Sequence, residues 1–381
     1  MDLSESLTQL KRQGLYRSRR VIEGGQGVKV SVDGKELINF CSNDYLGLAN
    51  HPAIVEAFKQ GAENYGVGSG SAHLICGHSR AHHALEEELA DFTGRQRALL
   101  FSTGYMANMG MIAALAGQSD YVLEDRLNHA SLLDGGLLSR SKFKRFGHAD
   151  MADLERKLAD TERRQLIVTD GVFSMDGDLA PLPDMVELAT TYRAILLVDD
   201  AHGLGVLGAD GAGVLQHYGL SEREVPVLMG TLGKALGTFG AFVAGSEDLV
   251  ETLIQQARTY VFTTAMPAAL AEATRASLKI VRTEHWRREK LRALVEHFRL
   301  GAQQLGLPLM ESNLPIQPLM LGDSRRAVAY SEQLLARGFW VSAIRPPTVP
   351  QGKARLRVTF SANHETTQID ALLHALATIK L

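Results

Sequence analysis

The sequence contains few cysteines and no excess of charge of either sign. Only two of its 381 residues are cysteine, Cys41 and Cys76, which excludes a disulfide framework and a four-thiolate metal site. Its 40 Lys and Arg are balanced by 43 Asp and Glu, so the chain lacks the basic surface of a dedicated nucleic-acid or anionic-membrane binder. We therefore expect neither nucleic acid nor a membrane as a partner, and a reducing cytoplasm as the compartment.

Long apolar runs are also missing. The chain has no uncharged apolar run of about 18 residues, and its opening, MDLSESLTQLKRQ, has no apolar core, so we expect no transmembrane helix and no export signal. A composition of 45% hydrophobic and 22% charged residues is instead typical of a globular protein. Glycine is abundant, with 36 residues, and it clusters in a few segments, which directs attention to those segments as ligand sites.

Strand and helix patterns alternate through the middle of the chain. The strands are short and nearly all apolar, as in RALLFS and AILLVDD, and amphipathic helices separate them. This pattern predicts an α/β domain whose mostly parallel sheet is buried on both faces. A helix over 4–12 and a hairpin turning at Asp33-Gly34 precede it, and a β-α-β-β-α pattern predicts a smaller α+β domain after it. The predicted segments are an N-terminal helix and hairpin segment, a large domain and a C-terminal α+β domain: 1–45, 46–283 and 284–381.

Polar residues stand at the carboxyl ends of the predicted strands, where open α/β sheets bind ligands. Asp199 and His202 follow one strand, Ser174 follows another, and Thr231 and Lys234 follow a third. Pyridoxal phosphate (PLP) needs such a set, because it takes a lysine for its aldehyde, a carboxylate for its ring nitrogen and a cradle for its phosphate. Lys234, flanked by glycines in GTLGKALGTFG, is the candidate for the aldehyde.

Each of these residues also has a plainer explanation. The lysine segment is also compatible with a mobile glycine loop, and either Asp199 or Asp200 suits the capping of a turn. Gly104 and Tyr105 begin a predicted helix, whose free N–H groups suit a phosphate but also an ordinary β-α turn. His129 has the position to lie over a pyridine ring, although helix capping at Asn128 explains the segment equally well. The combination favours PLP.

Two further motifs resemble binding sites but fit them poorly. GLGVLG, from Gly203 to Gly208, matches the dinucleotide fingerprint, but DDAH precedes it and further glycines interrupt the helix that should follow. His78 and His82 stand four residues apart, with His83 beside them, which is a possible metal-binding spacing. No H-E-x-x-H frame accompanies them, so we expect an ordinary helix and no metal site.

Several ordered motifs resemble the α-oxoamine synthases, a family of PLP-dependent acyltransferases with the aspartate-aminotransferase fold, PLP-dependent transferase fold type I. The resemblance covers about residues 15 to 375. The motifs are NFCSNDYLGL, GVGSGSAHLICG, GVFSMDGD, LLVDDAHGLGVLG, GTLGK, RPPTVP and ARLRVT.

The resemblance implies a role for each matching residue. Lys234 would carry the cofactor, Asp199 would pair with its ring nitrogen, and His129 would stack on the ring. His202 and Ser174 would bond its phenolic oxygen. The residues implied to hold the phosphate are Gly104, Tyr105 and Thr231, with Thr263 and Thr264 contributed by the second subunit of a homodimer. Asn43 and Arg357 resemble residues that orient the amino-acid carboxylate, and Arg17, Arg345 and Thr348 resemble residues that line the acyl site, with His129 next to the substrate.

Within this family, IRPPTVP and the segment around Arg17 most resemble the branch of biotin synthesis that joins L-alanine to a pimeloyl thioester. The resemblance does not distinguish pimeloyl-CoA from pimeloyl-acyl-carrier protein. Glycine-using members that make 2-amino-3-oxobutyrate or 5-aminolevulinate remain an alternative, as does a PLP aminotransferase. A non-catalytic binding protein of the same fold is a further alternative.

Overall fold

The computed structural model describes residues 3–379. Its first elements are a helix and a small antiparallel group of strands: α1 (Leu3–Arg12), β1 (Ile22–Glu23), β2 (Lys29–Val32) and β3 (Lys35–Asn39). The predicted helix and hairpin are confirmed. Asp33 and Gly34 both adopt positive φ, 52° and 72°, the conformation that a tight two-residue hairpin turn requires.

The middle of the chain alternates between helices and strands, as predicted. A π-helical turn, His73–Gly77, precedes α3. The elements are α2 (Pro52–Tyr65), α3 (Arg80–Thr93), β4 (Arg97–Phe101), α4 (Gly104–Leu115), β5 (Tyr121–Asp125), α5 (Ala130–Leu138), β6 (Lys142–Phe146), α6 (Met151–Ala159), β7 (Gln165–Asp170), α7 (Leu182–Thr191), β8 (Ile195–Asp199), α8 (Val214–Tyr218), β9 (Val227–Thr231), β10 (Ala241–Gly245), α9 (Glu247–Gln256), α10 (Arg258–Val261) and α11 (Ala268–Thr283).

Seven of these strands form one sheet in the order β4-β10-β9-β8-β7-β5-β6. The five strands from β9 to β6 are parallel, while β10 runs antiparallel to both of its neighbours. The prediction of a mostly parallel sheet is thus confirmed. Because parallel strands end at the same edge, β7, β8 and β9 bring their last residues together there.

The sheet is buried on both faces. Side chains alternate along each strand, so in β8 Leu197 packs into one hydrophobic cluster while Leu196 and Val198 pack into another. The first cluster includes residues of α4, α9 and α10, and the second includes residues of α6, α7 and α8. The site-bearing strand ends are therefore fixed by a core on each side.

The C-terminal elements form a smaller α+β region. They are α12 (Trp286–Gln304), β11 (Ile316–Gly322), α13 (Ser324–Ala336), β12 (Phe339–Trp340), β13 (Ser342–Ile344), β14 (Ala354–Thr359) and α14 (Thr366–Thr378). Residues 339–344, FWVSAI, form two strands in different sheets: β13 joins a three-stranded sheet in the order β11-β14-β13, whereas β12 pairs in parallel with β3 in a four-stranded sheet. No helix of residues 3–379 is long and apolar enough to cross a membrane.

Contacts divide the chain into two compact units. The first contains residues 1–50, 174–178 and 286–381, and the second contains residues 51–173 and 179–285. The first unit therefore combines both ends of the chain with a five-residue segment from its middle. The predicted segments 1–45, 46–283 and 284–381 stay a prediction, and their terminal residues 1–2 and 380–381 lie outside the described part.

A carboxyl group is buried inside the second unit without full compensation. Glu124 in β5 has no exposed surface, and its Oε1 has no hydrogen-bond partner among residues 3–379. Its Oε2 accepts a long hydrogen bond, 3.4 Å, from Asn128 Nδ2. Burial raises the pKa of Glu124 to about 8, although the Asn128 bond and the charge of Arg145 oppose this. Folding therefore favours the protonated side chain.

We predict that Glu124→Gln stabilises the protein more at pH 8 than at pH 5.5. The unfolded carboxyl ionises near its ordinary pKa of 4.5 while the folded one stays protonated to about 8, so wild-type stability falls as pH rises through that window. Glutamine does not ionise, so the variant does not lose stability in this way. The difference in unfolding free energy between the variant and the wild type should therefore be about 3 kcal/mol larger at pH 8 than at pH 5.5. Urea unfolding measures it, with exposed Glu162→Gln as the control. An equal difference at both pH values would contradict the assignment.

Candidate active site

The candidate site begins where three parallel strands end side by side. Asp170 of β7 is in register with Asp199 of β8, which is in register with Met229 of β9, two residues before Thr231. The sheet thus brings together residues that the sequence separates by tens of positions. Asp199 and Thr231, both predicted site residues, lie at this edge.

Asp199 is a buried carboxylate held by neutral donors. It is 3% exposed, its Oδ2 accepts a hydrogen bond from Asn108 Nδ2 at 2.6 Å, and its Oδ1 accepts one from Ala201 N–H at 2.9 Å. Among residues 3–379 no lysine or arginine forms an ion pair with it. A buried carboxylate without a cation is costly, and a protonated ring nitrogen supplies that cation. The residues present therefore fit a pyridinium group.

Asn108 was missed by the sequence reasoning. It is 1% exposed in α4, and its amide donates both to Asp199 and to Ser131 Oγ, the latter at 2.8 Å. A signal was present, because Asn108 is the one amide side chain in an otherwise mostly apolar helix, GYMANMGMIAAL. Its partner lies 91 positions away, and no local pattern reveals such a contact.

Two further carboxyl groups surround Asp199. Burial, followed by the charge of Asp199, raises the pKa of Asp170 well above its ordinary value, although Asp170 Oδ2 accepts the backbone N–H of His129 at 2.6 Å. Burial also raises the pKa of Asp200, whose Oδ2 accepts the backbone N–H of Val214 at 2.7 Å. Asp199 and Asp200 therefore both accept a backbone N–H after the strand, as the sequence allowed for either of them. The charge of Asp199 contributes to the raised pKa of Asp170 and of Asp200.

Lys234 lies in the loop between β9 and β10. Its Nζ is 2.8 Å from Nε2 of His202, which is 6% exposed and follows β8. Lys234 itself is half-buried. The structure therefore brings together the two residues that the sequence placed at neighbouring strand ends, and the amine contacts an imidazole that is able to exchange a proton with it.

Three of the predicted phosphate residues lie together: Gly104, its neighbour Tyr105, and Thr231. Gly104 begins α4, where Thr103 caps the helix by accepting the N–H of Met106, and first-turn N–H groups have no intrahelical acceptor. A Cβ on Gly104 would lie 4.0 Å from Thr231 Oγ1, so the two residues are neighbours. Thr264, which follows Thr263 after α10, accepts a hydrogen bond from Ser102 Oγ through its carbonyl at 3.4 Å.

His129 is the N-cap residue of α5, a position that the sequence had offered to Asn128. Its side chain accepts the backbone N–H of Ser131, and its ring meets the ring of Tyr105 edge-on at a centroid distance of 6.2 Å. Burial lowers the pKa of His129, opposed by the charge of Asp199. A neutral, fixed imidazole fits the role of a flat group against a cofactor ring. Tyr105 is itself anchored, because its hydroxyl donates to Asp134.

Within the first unit, Arg357 donates hydrogen bonds to Asn43 and Ser174. Its Nη1 and Nη2 donate to Asn43 Oδ1 at 3.1 and 3.2 Å, and its Nε donates to the carbonyl of Ser174 at 2.7 Å. Arg355, two positions earlier in β14, pairs with the carboxylate of Asp176, whereas Arg357 is 6% exposed and forms no ion pair with a described residue. A buried guanidinium with neutral partners fits an anion.

Arg17, Arg345 and Thr348 also meet in the first unit. Arg17 Nη2 donates to Thr348 Oγ1 at 3.2 Å, and Arg345 Nη2 donates to the carbonyl of Tyr16 at 2.7 Å. The Nε of Arg345 is buried and has no hydrogen-bond partner in the described part of the chain. Burial, together with the charge of Arg17, lowers the pKa of Arg345. Two guanidinium groups this close form a second place for an anion.

The dinucleotide-like motif, Gly203 to Gly208, folds as turns and bends. Residues 201–211 form turns and bends, and the next helix, α8, begins only at Val214. The glycines make room for Asp200 instead, because a Cβ on Gly203 or Gly213 would lie within about 2 Å of its carboxylate. Gly203 and Gly213 are therefore explained by the space that the Asp200 side chain needs.

Comparison with known proteins identifies the family of the chain. The chain matches the family described as aminotransferase class I and II over residues 35–376. It is 63% identical over 377 residues to an 8-amino-7-oxononanoate synthase of Thioalkalivibrio sulfidiphilus, covering 98% of this chain and 96% of that protein. It is equally identical to one of Methylococcus capsulatus, covering 99% and 97%.

The chain is also similar to solved structures of PLP-dependent enzymes. A serine palmitoyltransferase solved with PLP is 33% identical, with a TM-score of 0.93 and coverage of 98% of this chain and 96% of that one. An 8-amino-7-oxononanoate synthase of Francisella tularensis is 30% identical, with a TM-score of 0.79 and coverage of 90% and 97%. The predicted fold type I of PLP-dependent transferases is confirmed. The chain therefore belongs to the aminotransferase class I and II family, and within it to the PLP-dependent 8-amino-7-oxononanoate synthases.

Proposed function

We propose that the chain condenses L-alanine with a pimeloyl thioester, on CoA or on an acyl-carrier protein, giving 8-amino-7-oxononanoate, CO2 and a free thiol in biotin synthesis. The observation that carries this proposal is the buried Asp199 carboxylate, held by neutral donors at the same sheet edge as Lys234 and His202. The names of relatives that are 57–63% identical support the choice of substrates.

Bound PLP supplies an electron sink for the α-carbon of the amino acid. Asp199 holds the ring nitrogen in its charged form, and burial at 3% exposure keeps water from weakening that interaction. His129 would cover the ring, and His202 and Ser174 would bond the phenolic oxygen. The residues that bind the phosphate are Gly104, Tyr105 and Thr231, with Thr263 and Thr264 from the second subunit.

Lys234 has two successive tasks in this proposal. Its Nζ would hold the cofactor aldehyde, and as a free amine it would take the α-proton of alanine. The contact with His202 Nε2 at 2.8 Å supports this, because an imidazole at that distance steadies the amine and shares its proton. The same Nζ returns a proton once CO2 has left, so the amine acts as base and then as acid.

The first unit contains two groups of arginines, and each group binds a polar end of one substrate. Arg357, with Asn43 fixing its guanidinium, binds the carboxylate of alanine. Arg17 and Arg345 bind the polar far end of the pimeloyl chain, with Thr348 orienting Arg17. The unpartnered Nε of Arg345 supports this assignment, since a buried donor gains most from an incoming acceptor.

A homodimer in the cytoplasm completes the proposal. Large apolar side chains are exposed in the second unit, and a second copy of the chain would bury them: Val67 (88% exposed), Ile75 (78%), Phe262 (70%) and Leu137 (64%). Phe262 immediately precedes Thr263 and Thr264, which supports their placement at the subunit interface. The two unpaired cysteines are compatible with a reducing compartment.

We predict that borohydride reduction of the yellow holoenzyme fixes a pyridoxyl group on the peptide that contains Lys234. Lys234→Ala should bind PLP without producing CO2, because the cradle remains while the amine that moves the proton is gone. Mass spectrometry of the digest identifies the labelled lysine, and the exposed peptide of Lys353 serves as the comparison. A pyridoxyl group on another lysine would exclude this role for Lys234.

We also predict that Asp199→Asn lowers α-proton exchange of L-alanine in D2O by at least about 100-fold, because it removes a preorganised charge. PLP occupancy, measured by absorbance, should change much less. Asp200→Asn is the matched control, since its carboxyl is buried with a raised pKa and serves a backbone cap. Unimpaired exchange in Asp199→Asn would refute the assigned role.

A panel of amino acids and thioesters tests the substrates, with CO2 release and product mass as readouts. L-alanine with pimeloyl-CoA should give 8-amino-7-oxononanoate, while glycine with acetyl-CoA or succinyl-CoA should not. A preference for glycine would place the chain with glycine-using synthases and retain Lys234 and Asp199. Pyruvate formed from alanine without thioester would indicate an aminotransferase, and no spectral change with any amino acid would indicate a binding protein.

The same assay tests the acyl site. Arg17→Ala should raise the KM for the thioester about tenfold, the loss expected for one charged hydrogen bond, and leave alanine exchange unchanged. Arg19→Ala, in the same exposed segment, is the matched control. An equal effect of both variants would show that general charge, and not the Arg17 position, attracts the substrate.

A further inference from the structure

A cluster of histidines lies outside the proposed active site, at the start of α3. The π-helical turn His73–Gly77 is followed by His78, and α3 then begins at Arg80 with Ser79 as its N-cap. π-helical turns are rare and often accompany functional sites. Because of this turn, His78 reaches the face of α3 that carries His83 and Glu86, two residues three positions apart on one side of the helix.

His78, His83 and Glu86, which we name the α3 triad, have ligand atoms that converge. One atom from each residue lies within 4.8 Å of the others, a spacing that could hold a metal ion. Nε2 of His78 is 3.9 Å from Oε2 of Glu86, too far for a hydrogen bond. The side chain of Glu86 is only 12% exposed, whereas His83 is 53% exposed and faces solvent. The atoms surround a space that a cation would fill, open on one side to water.

Neighbouring groups hold two of these side chains through their other atoms. Nδ1 of His78 lies 3.0 Å from Nδ1 of His73, and Oε1 of Glu86 accepts the backbone N–H of Leu100 in β4 at 2.9 Å. The second atom of each side chain is thereby turned toward the triad. Metal-binding histidines and carboxylates are oriented by such bonds to their outer atoms.

A second grouping, His73, His78 and His82, also brings ring nitrogens within 4.8 Å, but it fits a metal less well. His82 uses both of its nitrogens: Nδ1 accepts the backbone N–H of Ser79 at 3.0 Å, and Nε2 bonds the carbonyl of Met266 at 2.7 Å. Ligation through His82 would break the cap of α3 or the contact with Met266. The α3 triad requires no such loss, because only the exposed contact of His83 with Glu87 would open.

We propose that His78, His83 and Glu86 bind one divalent transition-metal ion, Zn2+ being the ion that best suits two imidazoles and a carboxylate. Two nitrogen ligands and one oxygen ligand, with a remaining position for water, are typical of such sites. The ion compensates a carboxylate that is mostly removed from solvent. It also stabilises the junction of α3 with β4, through the bond between Glu86 and Leu100.

Titration of the metal-free, untagged holoenzyme with Zn2+ tests the proposal. We expect one ion per chain by calorimetry, and Co2+ used as a probe should give visible d–d absorption of low coordination number. His83→Ala and His78→Ala should each weaken binding about tenfold or more, because each removes one of three ligands. His83 is exposed, so its variant is expected to fold, which far-UV circular dichroism checks. Glu86→Gln should act likewise where it remains folded.

Two controls separate the triad from other metal-binding groups. His374→Ala removes an exposed histidine elsewhere, and Cys76→Ser removes an exposed thiol within the π-helical turn; neither should change the affinity. Unchanged binding in His83→Ala, a loss of binding in Cys76→Ser, or the absence of any stoichiometric site would each overturn the proposal. A loss in His73→Ala without one in His83→Ala would assign the ion to the other grouping, and would also overturn it.

Discussion

The chemistry that we propose for this protein depends on one negative charge, which is kept at a buried edge of the sheet. Asp199 ends a strand that is buried on both faces, so its carboxylate has little access to water. The fold stabilises it with an amide from α4 and a backbone N–H of its own turn, both neutral. Neutral donors hold the carboxylate in place without cancelling its charge, and the charge is therefore available to a cationic ring.

The same principle separates two arginines of β14. Arg355 and Arg357 are two positions apart and both are buried. Arg355 forms an ion pair with Asp176, whereas the hydrogen bonds of Arg357 within residues 3–379 go to an amide, a hydroxyl and a carbonyl. The first is an internal ion pair, which fixes the segment around residue 176. The second keeps its charge for a ligand. On one strand, the arginine with an ion pair therefore has a structural role, and we assign the arginine with neutral partners to ligand binding.

Much of this arrangement could be predicted from the sequence, because its signals are local. Apolar runs followed by polar residues located Asp199, Thr231 and Lys234 at strand ends, and Asp33-Gly34 located the hairpin. Long-range contacts had no such signal. The partnership of Asn108 with Asp199 and the pairing of β12 with β3 depend on how distant segments pack. The helix cap at His129 was misplaced by one residue, since Asn128 has the higher intrinsic preference for that position.

The first unit has a consequence for synthesis of the protein. Its strand β3 pairs with β12, about 300 positions later, and its remaining sheet is made wholly of C-terminal strands. During synthesis, the β3 edge of the N-terminal hairpin therefore has no partner strand until residue 340 has left the ribosome. Pairing between such distant segments is slow, and unpaired strand edges favour aggregation. Nascent chains of this protein are thus most exposed to chaperones at their beginning, although that part is the first to be made.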